Sequence, residues 1–251
     1  MSSALKPLVI KKLALKSGNR CAFPACPQRL YIEGGNVTGG AVIGEAAHIA
    51  GEKPGAQRYD ASMTDAQRNG VANLVFLCTN HHTEIDKPGT LYTTPQITLW
   101  KTEHEKRVDE AVFAAMPEVT FYELDMVTRT IADGQYQHFD GDFTVLSPTH
   151  KMQRNGLTNK SRAALMMGLA AAPVVGAFVS EITKTVPSFE GGLKKGFQTK
   201  YDSLRANGVQ GDTLFDELCI FASKYSPDLQ VRAASLAVVA YLFEACDVFE
   251  K

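Results

Sequence analysis

Two pairs of metal-ligand residues, about fifty residues apart, constrain the fold of this chain more than any other feature. Cys21 and Cys26 form the first pair, and Cys78 and His81 form the second. Structural zinc sites use four thiolate or imidazole ligands in a tetrahedron, and the two pairs together supply three cysteines and one histidine. We therefore predict a structural zinc ion that clamps the ends of the intervening stretch. The alternative interpretation is that the four are small core residues or parts of unrelated turns.

The composition is that of an ordinary globular protein, with 251 residues of which 45% are apolar and 21% charged. The five cysteines are an odd number, and the zinc ligands account for three of them, which predicts a reducing, cytoplasmic setting without disulfides. The segment from Met1 to Ile10 lacks the apolar core of a secretory signal. The longest uncharged run, Ala163 to Val179, is interrupted by Pro173, so we expect a pair of packed helices there and no membrane partner.

Total charge alone does not indicate a nucleic-acid-binding protein. The formal net charge is −1, with +2 on residues 1–115 and −3 on the remainder. A local basic face is nevertheless enough to engage phosphates. Five basic residues that precede the first cysteine are candidates for such a face, and a solvated helix face is the alternative: Lys6, Lys11, Lys12, Lys16 and Arg20.

The sequence pattern of the chain changes near Met116 and Pro117. Before them, glycine-rich loops separate short apolar runs, and after them helical patterns dominate. We predict an α+β protein with three parts: a domain of residues 1–115, a linker or small connecting element of residues 116–160, and an α-helical domain of residues 161–251. Within the connecting part, residues 121–142 are predicted as a linker or a small strand-containing element.

Local patterns place the elements of the first part. A helix is predicted from Lys6 to Lys16, with Gly18 as its stop, and another begins at Thr94 and Pro95, an N-cap followed by a proline at the first helical position. The apolar runs from Ala41 to Ile49 and from Asn73 to Leu77 predict two strands, and the segment from His81 to Asp86 opens a helix.

Three polar residues of these elements are candidates for catalysis. His48 ends the first strand, Asn73 precedes the second, and His82 lies in the helix one turn before Asp86. In this order the three residues resemble the histidine, asparagine and histidine of an HNH nuclease, a family that hydrolyses phosphodiesters in nucleic acids. That reaction needs a deprotonated water, a Lewis acid on the phosphate and neutralisation of the leaving oxygen. Near pH 7 a neutral imidazole accepts a proton from water, which predicts His48 as the general base. The resemblance implies that His82 is the ligand of a divalent cation and that the amide of Asn73 holds the loop or the imidazole of His48.

The order and spacing of these residues, from Leu13 to Val108, resemble an HNH, or ββα-metal, endonuclease. The resemblance implies a small zinc-stapled ββα-metal domain that hydrolyses double-stranded DNA with a catalytic divalent cation, for which Mg²⁺ is favoured and Mn²⁺ and Ni²⁺ are alternatives. Many members of the family have an acidic metal ligand immediately before the first histidine, and here that residue is Ala47. Glu45, which shares a strand face with Ala47, and Asp86 are the candidates to replace it.

The segment Tyr201-x2-Leu204-x3-Gly208-x2-Gly211-Asp212-x-Leu214-Phe215 and the apolar helix after it resemble the C-terminal domain of effectors in ABC-three-component antiphage systems. The resemblance implies a nuclease effector of prokaryotic defence that is controlled through its helical domain, beside an SMC-like or ABC-type ATPase and a small middle component. Because one such site cuts one strand, a homo-oligomer is expected. Three other interpretations remain: a modification-dependent restriction endonuclease, a non-catalytic zinc-stapled DNA-binding or adaptor protein, and a cyclic-nucleotide-gated effector. For the last of these, the helical segment has no sequence feature tied to nucleotide binding.

Overall fold

The computed structural model describes residues 5–32, 41–87, 92–132 and 148–245. The chain separates into two compact units, Met1–Glu110 and Ala111–Lys251. The first unit contains small sheets and helices, whereas every element of the second unit in the described ranges is helical. The predicted α+β class is therefore confirmed.

The elements of the first unit follow one another in the predicted order. Helix α1 ends just before Gly18, whose φ of +54° favours glycine and whose missing side chain leaves room for Val108. A Cβ atom on Gly18 would lie 2.9 Å from a methyl carbon of Val108. The elements are α1 (Pro7–Lys16), β1 (Tyr31–Ile32), β2 (Ala41–Val42), β3 (Gly44–His48), α2 (Asp65–Arg68), β4 (Leu74–Cys78), α3 (Thr79–Asp86) and α4 (Thr94–Ala114), the last of which crosses the division between the units.

A two-stranded antiparallel sheet positions the candidate site. Strand β3 pairs with β4, so that Gly44 lies opposite Cys78 and His48 lies opposite Leu74. Strand β4 is buried along its whole length, and helix α3 follows it directly and contacts both strands. The core beneath these elements is apolar and includes Leu13, Leu30, Leu74, Leu77, Ile85 and Ile97.

Two predicted elements of the first unit differ in detail. The predicted strand from Ala41 to Ile49 is divided into β2, which pairs with β1, and β3, which pairs with β4. The cap of α4 is Thr93 rather than Thr94, because the Thr93 hydroxyl accepts from the backbone N–H of Gln96 while the Gln96 side chain accepts from the backbone N–H of Thr93. This reciprocal pair is a capping box, which satisfies two donors at the start of the helix.

The second unit is a helical bundle around its last described helix. That helix, α10, is buried on nearly every side and contacts α5, α7 and α9. Gly168 permits the close approach of α7 to α10, since a Cβ atom there would lie 2.6 Å from the side chain of Ala240. The helices are α5 (Phe121–Ala132), α6 (Pro148–Arg154), α7 (Asn159–Thr185), α8 (Phe189–Ala206), α9 (Gly211–Ala222) and α10 (Leu229–Ala245).

The prediction of a linker or strand-containing element was wrong for residues 121–132, which form α5. Leu124, Val127 and Ile131 lie on one face of this helix and are buried in the bundle core. Their spacing is helical, but β-branched residues make up much of the segment and lower its intrinsic helix propensity, so packing decides the outcome. Residues 133–142 lie outside the described residues.

The prediction of two helices in the run from Ala163 to Val179 was also wrong, because α7 is one helix that contains Pro173. The proline is exposed, while Ala172 and Val175 beside it are buried on the opposite side and hold the helix in the bundle. Among the described residues, α7 is the one helix long and apolar enough to cross a membrane, and one third of its most apolar window is buried.

Candidate functional site

The four predicted zinc ligands lie together in the first unit. The ligand atoms of Cys21, Cys26, Cys78 and His81 all lie within 4.8 Å of one another. The Nδ1 atom of His81 is 3.5 Å from Sγ of Cys21 and 3.1 Å from Sγ of Cys78. In a tetrahedral zinc site a sulfur and a nitrogen ligand are separated by about 3.6 Å. The cluster can therefore hold a metal ion such as zinc.

Local structure explains how the sequence brings the ligands together. Cys78 ends β4 and is the N-cap of α3, so that His81 follows within the first turn. Ala25 has a φ of +59°, which turns the chain between Cys21 and Cys26. Cys21 Sγ also accepts a hydrogen bond from the backbone N–H of Cys78, at 3.3 Å. Burial raises the pKa of the Cys21 thiol to about 12, and a bound cation would favour the thiolate form instead.

An aromatic cluster supports the imidazole of His81. The ring of Phe23 stacks on it in parallel, with a centroid distance of 3.8 Å. Tyr92 and Trp100 pack around Phe23, and the Tyr92 hydroxyl donates to the Glu84 carboxylate. That carboxylate lies 4.0 Å from Nε2 of His81. At this distance the carboxylate does not hydrogen-bond to the ring, so the stack with Phe23 is the contact that holds the plane of the imidazole.

His82, the next residue, lies between two carboxylates. Its Nδ1 atom is 2.6 Å from Glu45 of β3, and its Nε2 atom is 3.7 Å from Asp86, one turn later in α3. The two acids therefore face opposite nitrogens of the same ring. Arg58 also contacts Asp86 at 2.9 Å, whereas the carboxylate of Glu45 reaches the His82 ring from strand β3. The carboxylates of Glu45 and Asp86 are thus distinct in their surroundings.

His48 ends β3 and is half-buried. Its Nε2 atom lies 3.1 Å from the side-chain oxygen of Asn69. Asn73, the asparagine predicted for this region, is buried and binds backbone instead: its amide accepts from Ala50 N–H and donates to the carbonyls of Ala50 and Arg68. Of the two roles predicted for Asn73, the structure shows contacts that hold the loop, and Asn69 is the side chain that contacts His48.

Two arginines that sequence reasoning missed organise the loop between β3 and β4. Arg58 donates to the carbonyls of His48, Ile49 and Ile85 in addition to the Asp86 carboxylate. Its φ of +59° is a strained conformation for an arginine, and these contacts stabilise it. Arg68 is buried and donates to three carbonyls of the same loop, those of Gly51, Asp60 and Met63. The loop is thus a fixed structure beside His48.

Comparison of the chain with family models, with curated proteins and with solved structures found no match. The function therefore has to be argued from the arrangement of the side chains. Among the described residues, the cysteine and histidine cluster is the one group of three or more metal-type ligands with all its ligand atoms this close together. His82, which contacts Glu45, directly follows His81 of the cluster in α3. His48, which contacts Asn69, ends β3 four residues beyond Gly44, the residue opposite Cys78.

Proposed function

We propose that this protein is a metal-dependent endonuclease that hydrolyses phosphodiester bonds in double-stranded DNA. The observation that carries the proposal is the placement of two histidines on one strand–strand–helix unit: His48 at the end of β3 and His82 in α3 beside Glu45. The cysteine and histidine cluster anchors the start of the same helix. The proposed setting, a prokaryotic antiphage system in the cytoplasm, is supported by the sequence resemblance of the helical unit.

His48 is the general base in this proposal. With the Asn69 oxygen as acceptor, the proton of the neutral ring resides on Nε2, and Nδ1 carries the lone pair that takes a proton from water. Asn69 is then a positioning residue, because it selects the tautomer and fixes the ring plane. Arg58 and Asn73 hold the backbone from His48 to Ala50 in place.

His82 and Glu45 are the proposed ligands of the catalytic cation. When bound, a divalent cation supplies a Lewis acid for the phosphate and neutralises the leaving oxygen. Nδ1 of His82 and a carboxylate oxygen of Glu45 lie 2.6 Å apart and share a proton without metal, so a bound cation would replace that proton as the two donors move apart. Asp86 lies 3.7 Å from the other nitrogen, and we assign it the orienting role that carboxylates have at metal-bound histidines, for which this gap would have to close. Mg²⁺ is the ion that the resemblance favours, with Mn²⁺ and Ni²⁺ as alternatives; the Glu45 carboxylate suits Mg²⁺ and Mn²⁺, and the imidazole nitrogen suits Ni²⁺.

Glu45→Gln is expected to weaken Mn²⁺ binding about 100-fold, because it removes the charged oxygen donor. The conservative change Asp86→Asn keeps an acceptor near Nε2 and is expected to weaken binding about tenfold, the lower end of the range for orienting partners. Calorimetric titration of the zinc-loaded protein with Mn²⁺ measures both. Equal losses in the two variants, or none, would contradict the assignment of Glu45 as the ligand.

Asn69→Ala is expected to lower the single-turnover cleavage rate about 100-fold, since misplacing a reacting group by about 1 Å has an effect of that size. Asn69→Asp retains an acceptor for Nε2–H and is the matched control that keeps most of the rate. Zinc content stays unchanged in both variants. The ring nitrogen signals of His48 in NMR spectra report the tautomer directly, and a tautomer that does not change in Asn69→Ala would refute the positioning role.

A further inference from the structure

A strip of exposed apolar residues runs along the outer side of α7 in the helical unit. The side chains of Met166 and Val174 are 55% and 52% exposed, which is high for residues of this type. Successive residues of an α-helix are rotated by about 100° around the helix axis. The exposed positions of α7 therefore fall within an arc of about 120° and form one continuous surface. We call this surface the α7 strip; it comprises Ala163, Met166, Met167, Ala170, Pro173, Val174 and Ala177.

The packing of the bundle does not account for the α7 strip. The opposite side of the helix already supplies the residues that pack into the core, among them Leu165, Gly168 and Val175. Helix α7 is therefore apolar on both sides, a pattern of helices that are buried all round. The strip extends from residue 163 to residue 177, about 21 Å along the helix axis. A continuous exposed apolar surface of this length marks an interaction site.

The sequence of the α7 strip is suited to packing against the α7 helix of a second copy of the chain. Ala163, Ala170 and Ala177 recur at an interval of seven residues, the repeat of a seam between two helices. Charged residues lie at its two ends, Arg162 at the start and Glu181 after the last alanine, and both are exposed. Glu181 pairs with Lys184 within the same helix, but an ion pair as exposed as this one contributes little and does not prevent another contact.

The charges at the two ends of the α7 strip and the sizes of its side chains favour an antiparallel arrangement of two α7 helices. A parallel pair would place Arg162 beside Arg162 and Glu181 beside Glu181. An antiparallel pair places Arg162 beside the partner's Glu181 twice, with the twofold axis midway between them along the helix. The same register sets the large Met166 against the small side chain of the partner's Ala177.

We propose that the α7 strip is the interface of an antiparallel homodimer of this protein. The contact of one helix pair is smaller than the roughly 800 Å² per partner of a standard stable interface. The dimer is therefore weak and forms reversibly at micromolar concentrations. The inference does not depend on the proposed nuclease function. It concerns the helical unit alone, and its test requires no DNA cleavage.

Sedimentation velocity of the full chain over a wide range of concentrations tests the interface. The wild-type protein is expected to show a concentration-dependent monomer–dimer equilibrium, and Ala170→Glu, at the centre of the α7 strip, to remain monomeric with an unchanged thermal transition. Ala206→Glu makes the same change at an exposed position of α8 and is expected to dimerise like the wild type. A wild-type protein that stays monomeric, or a dimer that survives Ala170→Glu, overturns the proposal.

The register is tested by charge exchange. Arg162→Glu and Glu181→Arg are each expected to weaken the dimer several-fold, and the double variant to restore it. Failure of the double variant to recover overturns the antiparallel arrangement. Uncharged phosphatidylcholine vesicles provide the remaining comparison, because wild-type protein that binds them without dimerising would identify the α7 strip as a membrane-binding surface instead.

Discussion

Cys78→Ser is expected to release the structural metal and to unfold the first unit. Serine is a favoured N-cap, and Cys78 is the N-cap of α3 without a side-chain capping bond, so the change preserves the start of the helix and removes the thiolate. Structural zinc contributes about 10–16 kcal/mol of apparent binding free energy to small domains. Loss of one of four ligands therefore costs a large part of the stability of a unit with so small a core.

The chain offers a specific reporter for this unfolding. Trp100 is the single tryptophan of the sequence, and it packs against Phe23 beside the cluster, at a centroid distance of 4.9 Å. The tryptophan fluorescence at increasing urea concentrations therefore reports the unfolding of the first unit alone. Mass spectrometry measures the zinc content of the same protein. Cys219→Ala is the matched control, since Cys219 packs against the core of the helical unit and is expected to leave zinc at one ion per chain. A Cys78→Ser protein that retains one zinc ion and the wild-type urea midpoint would refute a structural metal site.

His48→Ala is expected to reduce cleavage of a DNA duplex by about 10²- to 10⁴-fold, the contribution typical of a positioned general base. His48 is not part of the cysteine and histidine cluster, so zinc content and the fluorescence of Trp100 are expected to stay at wild-type values. Single-turnover cleavage of a labelled duplex at saturating Mg²⁺ measures the change. Cation binding is expected to persist, because His48 is not among the proposed ligands.

Two comparisons make the His48 experiment specific. His150→Ala removes an exposed histidine of α6 and is expected to cleave at the wild-type rate. His82→Ala removes a proposed metal ligand, so the concentration of Mg²⁺ needed for half-maximal cleavage is expected to rise, whereas that concentration stays unchanged in His48→Ala. Identical behaviour of the His48 and His82 variants would contradict separate roles as base and ligand.

The parts of the site that the sequence predicted are those with short-range signals. The Cys21-x4-Cys26 and Cys78-x2-His81 pairs each bring two ligands together within a single turn, and few residue types bind zinc, so the cluster could be predicted from spacing alone. The contact of Glu45 with His82 follows from strand alternation, which places Glu45 and Ala47 on the same face of β3.

The contacts that sequence reasoning missed cross a loop without periodicity. Asn69 and Asn73 are four residues apart and chemically identical, and only the folded loop decides which one reaches His48. Arg58 contacts Ile85 and Asp86, which lie 27 and 28 residues further along the chain. Such contacts depend on the whole fold of the loop. Among the helices, α5 was missed because tertiary packing outweighs the low helix propensity of its β-branched residues.

Relaxation of supercoiled plasmid DNA by the purified zinc-loaded protein tests the central claim most directly. The wild-type protein is expected to nick and linearise the plasmid when Mg²⁺, Mn²⁺ or Ni²⁺ is added. Without an added divalent ion the wild-type protein is expected to be inactive. The His48→Ala variant, with the same zinc content, is expected to leave the plasmid supercoiled. Intact plasmid with every one of these ions, in the presence of protein that holds zinc and binds DNA, would contradict the nuclease and identify a zinc-stapled DNA-binding protein.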